Sequence, residues 1–593
     1  MKEWVVSLRI LSKPKDHHVV VGLLLFLSVP IAAKTIYVSE SGSDANSGLS
    51  WQQAKRTVNG ALAVAENGDE IWVAKGTYRE RMQIERDLKL YGGFKGDEAA
   101  LSERPSFPRP LFDPVQSVID GANVGTVITV STGVRSRIDG FVIRGGRGTV
   151  GGIWCRASQC SIVNNTIRCN EGIFGGGIYC EESSPTIADN VIENNISHKG
   201  GGIGLHRSSS IVVGNVIRRN NAMMGGGMYC SMSSPLIAHN LITGNFGRDG
   251  AAAMAIDGGS PTLDVNFISA NFSNQNVISI QDASPLLTNT IIVANGHGTA
   301  VSASGLESNF RIINSTIAFN ESYGVYFDNG AVMEVGNCII AHNGGTGISR
   351  GLRSARLKLY SSCFYDNLGG AYLPRPGDDI NDESLLFAPP MLVGTNCHLL
   401  PDSPCIDRGN NEVVQPGMDI DGESRVYNER VDIGADEFIP PTVNGVLYLN
   451  DYEAYDCLQV DFEIRTARGT EKRTVPIRRD GLSHDAYAAC FTVPQAPSEP
   501  IDISVQPRTW LRRTLKVDVS SGTVVNLSIA LVNGDVDGDN EITLFDFGVL
   551  TSAFGTSPCD PDWVPSADLD GDDEVTLFDY GIVVNNFGKI GDE

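Results

Sequence analysis

The sequence predicts a mainly β protein: a right-handed parallel β-helix solenoid, then a small β-sandwich, then a small α-helical module. Three observations carry this. A period of 25 residues runs through 150–345, seven short alternating runs follow in 442–532, and two acidic phrases close the chain 33 residues apart. At 593 residues the chain is too long for one ordinary core. Its 65 glycines and 20% charged residues fit many turns and strands rather than long helices. The net charge of -24 disfavours nucleic acid and anionic membrane surfaces as partners. About -14 of it lies in 533–593, where 15 Asp or Glu stand against one Lys.

Residues 1–33 read as an export signal. Lys2, Arg9, Lys13 and Lys15 precede an apolar run over 19–29, and Pro30-Ile31-Ala32-Ala33 offers small residues for cleavage. The run is about half the ~20 residues a spanning helix needs. The bulk of the protein is expected outside the cytoplasm, secreted or at the cell surface, with an uncleaved N-terminal anchor as the alternative.

The solenoid is expected over 34–440. Asn165, Asn190, Asn215 and Asn240 are each 25 apart, and Asn266, Asn289, Asn314 and Asn337 continue the series. A second asparagine follows each by five or six: Asn170, Asn195, Asn220, Asn245, Asn271, Asn295, Asn320 and Asn343. A fixed period of this size means stacked structural repeats. One unit, GGGIYCEESSPTIADNVIENNISHK, holds three alternating runs at 177–181, 185–189 and 191–194, each too short for a helix. Ile178, Ile187 and Ile192 would point inward, stacked about 4.8 Å from their equivalents. An Asn at a tight bend tolerates left-handed backbone angles, and its amide can bond the Asn of the next coil. Cys155, Cys180 and Cys230 share a slot with Leu205, so they read as stacked core thiols, or as a Cys155–Cys180 disulfide. Cys338 and Cys363, again 25 apart, carry the same two readings.

A solenoid needs caps on its end coils. Upstream, TIYVSESGSDANSGLSWQQAKRTVNGALAVAENGDEIWVAKGTYRE reads as strand, helix, strand, with Val58, Ala61, Leu62 and Ala65 on one helix face. This segment, with LYGGF at 90–94 and IDGFVIRGG at 138–146, resembles the opening of secreted β-helix proteins of the pectate-lyase-like superfamily. The resemblance implies that the helix plugs the first coil. SPCIDRGN at 403–410 and DIDGESRVYNERVDIGADEF at 419–438 resemble the closing segment of such surface proteins.

Polysaccharide lyases on this fold place clustered acids and a Lys or Arg base on one face; the related hydrolases use aspartates near a Gly-His-Gly. Gly296-His297-Gly298 lacks a preceding Asp pair, so His297 reads as an exposed turn residue. Glu181, Glu182, His198, Lys199, His206 and Arg207 could group a carboxylate, a base and a cation, but charges on a solenoid face are ordinarily solvated. No catalytic residue is assigned. In 441–532, seven β-type runs predict a small sandwich in which Cys457 and Cys490 could pair.

The closing phrases are GDVDGDNEITLFDF from Gly534 and ADLDGDDEVTLFDY from Ala567. Asp535, Asp537, Asp539, Glu541 and Asp546 fall at positions 1, 3, 5, 7 and 12 of an EF-hand calcium loop, as do Asp568, Asp570, Asp572, Glu574 and Asp579. Position 6, usually Gly, is Asn540 or Asp573, types that tolerate positive φ. Position 8, Ile542 or Val575, could bridge the two loops. One helix-like run follows each loop, and the duplicated loop-helix over 533–593 resembles a type I dockerin. That resemblance implies two Ca2+ ions, a cohesin-like partner on a scaffold or cell surface, and contacts through Leu544, Phe545, Leu577 and Phe578. Dockerins often carry Ser or Thr there, so the apolar pairs could pack internally instead. Cys559, in the connector, could be free.

The expected function is that of an exported modular surface protein, monomeric apart from docking. Its solenoid binds or acts on an extracellular polysaccharide and its tail docks it. The alternatives are a polysaccharide lyase or glycoside hydrolase delivered by that tail, and a purely structural or adhesive solenoid.

Overall fold

The computed structural model describes residues 33–105, 116–306, 308–351, 355–414, 417–454, 457–477, 488–494 and 496–593. The export signal lies outside the described residues, save Ala33. Among them no helix is long and apolar enough to cross a membrane.

Residues 35–380 wind into a solenoid whose strands pair in parallel from coil to coil. Three long sheets of 14, 12 and 11 strands run its length. Apolar residues stack within them as the period requires: Ile153, Ile178, Ile203, Met228, Met254 and Ile278 are successive partners in one sheet. Ile162, Ile187, Val212 and Ile237 stack in the second, and Ile167, Ile192, Ile217 and Ile242 in the third. These columns form one continuous core from Ile36 to Leu385. A fourth, six-stranded sheet adds to the three strands expected per turn. It includes Glu171–Phe174, Ile196–Lys199 and Asn221–Met224, each just after the second asparagine of its coil.

The asparagine ladders exist, with one shift. Asn170, Asn195, Asn220, Asn245, Asn271, Asn295, Asn320 and Asn343 each pass their side-chain NH2 to the next Oδ1 at 2.9–3.1 Å, ending on Asn367. The other ladder runs from Asn165 to Asn266 and then steps to Thr290 and Ser315. Asn289, Asn314 and Asn337 sit one position earlier, at the left-handed bend, with φ of 49°, 46° and 53°. In the Asn165 ladder that bend falls to the preceding residue, such as Asn164, Asp189 or His239. Ladder and bend are thus separate roles, because the inward amide and the positive φ belong to neighbouring residues.

At the N-terminal end α1 (Val58–Val64) buries Val58, Ala61 and Leu62 against the first coil. Thr57 caps it, and the Glu80 carboxylate accepts from the Val58 and Asn59 amides at 2.7 and 2.9 Å. Cys155, Cys180 and Cys230 are buried core thiols, not a Cys155–Cys180 disulfide; Cys155 Sγ lies 2.9 Å from Cys160 Sγ. Cys338 and Cys363 do not stack. Cys363 pairs with Ile339, so one residue of register turns Cys338 into the core and Cys363 outward.

All seven runs of the sandwich are strands. A three-stranded sheet on Val443–Leu449 and a four-stranded sheet on Leu458–Thr466 enclose Phe462, Phe491 and Trp510. Cys457 does not pair with Cys490. It turns to the solenoid, with its Sγ 2.8 Å from Ser269 Oγ and its N–H donating to Thr243 Oγ1 at 3.2 Å.

The C-terminal parts are not beads on a string. The strap over 390–438 lies on the outer face of the 12-stranded sheet, where Leu241, Phe267, Ile291 and Val293 are buried with Cys397, Ala435 and Cys457. Further along that face Cys169 forms a disulfide with Cys559, 390 residues away. The connector cysteine is therefore bonded, not free.

Candidate metal loops and docking face

The two acidic phrases fold as matched loops, each running into a helix: α2 (Leu544–Ala553) and α3 (Leu577–Asn586). Thr543 and Thr576 cap them, with Asp546 and Asp579 closing reciprocal capping boxes. Asp535 Oδ1 accepts from the Gly538 amide at 2.8 Å and its Oδ2 from Asn540 at 3.0 Å, which winds the loop around the first carboxylate. Asp568 does the same with Gly571 and Asp573. Asn540 and Asp573 take φ of 70° and 72°, as position 6 requires.

This winding gathers Asp535, Asp537 and Asp539, and likewise Asp568, Asp570 and Asp572, with one carboxylate oxygen of each residue within 4.8 Å of the others. The buried Asp546 folds back over its loop, accepting from the Val536, Asp537 and Thr543 amides at 2.6, 3.1 and 2.7 Å. Asp579 repeats this on Leu569, Asp570 and Thr576. Glu541 and Glu574 are exposed and stand outside the triads; at position 7 the loop offers its backbone carbonyl. Burial, then repulsion from neighbouring acids, pushes Asp568 up to about 8 and Asp570 to about 6. Burial likewise takes Asp535 to about 6, with the Asp546 charge adding to it. Crowded hard oxygens that resist ionisation together fit a hard divalent cation, and both triads are compatible with calcium.

Ile542 and Val575 are buried but do not bridge each other. Ile542 donates to Lys589 O at 2.9 Å, and Val575 to Thr556 O at 3.0 Å. Each loop thus pairs with the chain leaving the other copy's helix. Leu544, Phe545, Leu577 and Phe578 are 73%, 74%, 74% and 76% exposed, which removes the reading that they pack internally.

The solenoid carries a second feature, which the sequence reading missed. Trp154, Tyr179, Gly204 and Tyr229 are successive partners on the outer face of the 11-stranded sheet. Arg156 lies 4.7 Å over the Trp154 ring, Phe174 stacks on Tyr179 at 5.6 Å, and Lys199 Nζ lies 4.8 Å from the Tyr229 ring. Lys199 Nζ is also 3.2 Å from Tyr229 OH, which donates to Asp257 at 3.1 Å. Exposed Phe174 and Met224 lie in one column of the six-stranded sheet, and exposed Ile196 and Phe246 in another. The 25-residue spacing of 154, 179, 204 and 229 was its signal.

Residues 117–268 and 255–378 match the family model described as right handed beta helix region. The chain carries a right-handed β-helix. No curated protein matches it. Among solved structures, pectate lyase Pel9A matches at 12% identity and TM-score 0.36, over 69% of this chain and 97% of that one. The A-module of the mannuronan C-5 epimerase AlgE6 of Azotobacter vinelandii matches at 14% identity and TM-score 0.38, over 56% and 93%. An interface mutant of a type II cohesin–X-dockerin complex from Acetivibrio cellulolyticus matches at 20% identity and TM-score 0.20, over 26% and 97%.

On the β-helix, His297 is exposed at a turn with φ 57°, its Nδ1 3.1 Å from Glu321. Glu182 and Arg207 form an exposed pair at 3.3 Å. Glu181 and His206 are adjacent rungs beside the aromatic row, whereas His198 is exposed on the six-stranded sheet. The second metal loop rests against the β-helix, with Arg219 paired to Asp573.

Proposed function

We propose that this is an exported surface protein whose two loops each bind Ca2+, so that its tail docks on a cohesin-like partner while its β-helix holds an extracellular polysaccharide. The observation that carries the reading is the pair of exposed Leu-Phe dipeptides at matched helix N-termini beside the two acidic triads. Two aromatic anchors on one small module are the kind of residue that dominates a protein interface. Asp535, Asp537, Asp539 and Asp546 hold one ion with the Glu541 carbonyl; Asp568, Asp570, Asp572 and Asp579 hold the other with that of Glu574. The cation neutralises acids that otherwise repel. It thereby sets the loops, and through the capping boxes the two helices.

The polysaccharide reading rests on the aromatic row. The part-exposed rings of Trp154 and Tyr179 on adjacent coils suit the apolar faces of sugars, and a face that continues past Gly204 along a solenoid suits a polymer rather than a small ligand. Capture of a cohesin-bearing scaffold in calcium but not in chelator tests the docking half. Retention on polysaccharide gels by wild type, but not by Trp154→Ala with Tyr179→Ala, tests the other.

A second reading has its own support. Lys199, Tyr229 and Asp257 form a hydrogen-bonded chain of amine, phenol and carboxylate beside the row, a grouping able to move a proton. On that reading the β-helix is a lyase or glycoside hydrolase. Turnover on a panel of acidic and neutral polysaccharides separates it from simple binding; no binding and no turnover would leave a structural or adhesive solenoid.

A further inference from the structure

The strap over 390–438 contains a buried charged cluster that neither the loops nor the aromatic row uses. Its centre is His398, only 4% exposed, with Nε2 2.8 Å from Asp421 Oδ2 and 4.0 Å from Asp436 Oδ1. One ligand atom each from His398, Asp421 and Asp436 lies within 4.8 Å of the others. Glu423, 5% exposed, lies two residues beyond Asp421, with its Oε1 buried and without a hydrogen-bond partner.

The backbone is built to present this group. Asp419 Oδ1 accepts from the Asp421 and Glu423 amides at 3.0 and 2.8 Å, and its Oδ2 from the Glu437 amide at 2.9 Å. Both its oxygens shape the loop, which leaves Asp421 to face His398. Asp436 Oδ2 accepts from the Leu399 amide at 2.8 Å, so that its Oδ1 is the oxygen left near His398. Gly422, at φ 82°, makes the turn between Asp421 and Glu423.

The polar atoms aimed inward are not satisfied by the protein. His398 Nδ1 and Nε2, Asp421 Oδ2 and Glu423 Oε1 are buried without a hydrogen-bond partner. The 2.8 Å approach of His398 to Asp421 is thus a close contact without hydrogen-bond geometry. Buried polar groups are normally paired; of these atoms, His398 Nε2 and Asp421 Oδ2 face one another, and their lack of partners marks a missing ligand. Nor is the charge balanced. Asp419, Asp421, Glu423 and Asp436 are four acids around one imidazole, while buried Arg425 turns to the carbonyls of Asp432, Gly434 and Ala435.

We propose that His398, Asp421 and Asp436 bind one divalent transition-metal ion of the zinc or manganese class, which clamps the closing strap. One imidazole nitrogen with carboxylate oxygens is a donor set for first-row transition ions, whereas Ca2+ takes oxygen. The same chain thus sorts two kinds of cation: hard Ca2+ in the tail loops, a nitrogen-binding ion in the strap. His398 and Asp436 are buried while Asp421 lies nearer the surface, and the role of the site is structural. It ties residues 398, 421 and 436 together where Gly434 donates to Asn337 O at 2.9 Å and Ala435 to Thr316 Oγ1 at 3.1 Å on the β-helix.

The test uses the full-length chain, held in excess calcium to fill the tail loops, incubated with Zn2+ or Mn2+ and freed of unbound metal. Elemental analysis of wild type is expected to give one equivalent of the added ion, and of His398→Gln none, with calcium content unchanged. Added metal is expected to raise the wild-type melting temperature and leave that of His398→Gln where it was. Should the variant fail to fold, cobalt-loaded wild type gives the same answer through the visible absorption of an imidazole-ligated ion. Wild type that takes up no transition metal, or shows no such band with cobalt, overturns the proposal. So does an equivalent that persists in His398→Gln but vanishes in Asp537→Ala with Asp570→Ala.

Discussion

Asn220 shows what one rung of the ladder is worth. Its NH2 donates to Ile192 O at 2.8 Å and Asn245 Oδ1 at 3.1 Å, and its Oδ1 accepts from the amide and side chain of Asn195. Leucine would fit the volume and orphan several buried groups, each costing about 1–3 kcal/mol. Asn220→Leu is expected to lower the melting point sharply while leaving the far-ultraviolet spectrum β-type at low temperature; an unchanged melting point would refute the ladder's role. Phe545 and Phe578 behave oppositely. Both are exposed, so neither Phe→Ala change is expected to move the melting point of the calcium-loaded protein. A partner that can use either copy tolerates each single change, and the double change loses binding, at about 2 kcal/mol or more per anchor. If a single change both destabilises and abolishes capture, the anchor reading fails. The period exposed the stacking slots of Ile178, Cys180 and Ile187 because inward residues repeat every coil. It left the step from Asn266 to Thr290 hidden, because Asn289 preserves the letter of the repeat while moving to the bend.

At the scale of elements, the two loop-helix copies respond to pH with a sign set by their acids. The raised values of Asp535, Asp568 and Asp570 mean that, without a cation, the folded loops hold more protons than an unfolded chain whose Asp titrates near 3.9. Stability of the cation-free module therefore falls as pH rises from about 4 to about 8. With calcium saturating, protons compete with the ion, and stability falls as pH drops through the same window. Hydrogen exchange of 533–593 in the full-length protein, at pH 5 and 8, in calcium and in chelator, is expected to show a far larger calcium benefit at pH 8. Equal benefits would refute the linkage. The loops were legible because their spacing is local: every acid of a loop falls within 12 residues of the first. Their pairing was not. Ile542 joins Lys589, and Val575 joins Thr556, through partners that the spacing of a single loop does not specify.

For the whole molecule, the arrangement of domains was the least legible feature. Cys457 shares no period with Leu241 and Phe267, which are partners on adjacent coils, yet it is buried with them. Truncation after Phe438 keeps the strap and the continuous core, so the β-helix is expected to melt cooperatively, at a lower temperature than in the full chain because Thr243 and Ser269 lose their cover. Aggregation of that fragment would instead make the sandwich a required part of the cap. The Cys169–Cys559 bond has a mechanical consequence. A tail held at Phe545 or Phe578 and tugged by a surface-bound polymer sends the load through Cys559 directly into the coil of Cys169. The 390-residue span between them, about 1,300 Å of contour if drawn straight, is shunted out of the line of tension. The sandwich, the strap and the coils beyond the aromatic row then bear no pull, and the fastening can be strained without paying out chain.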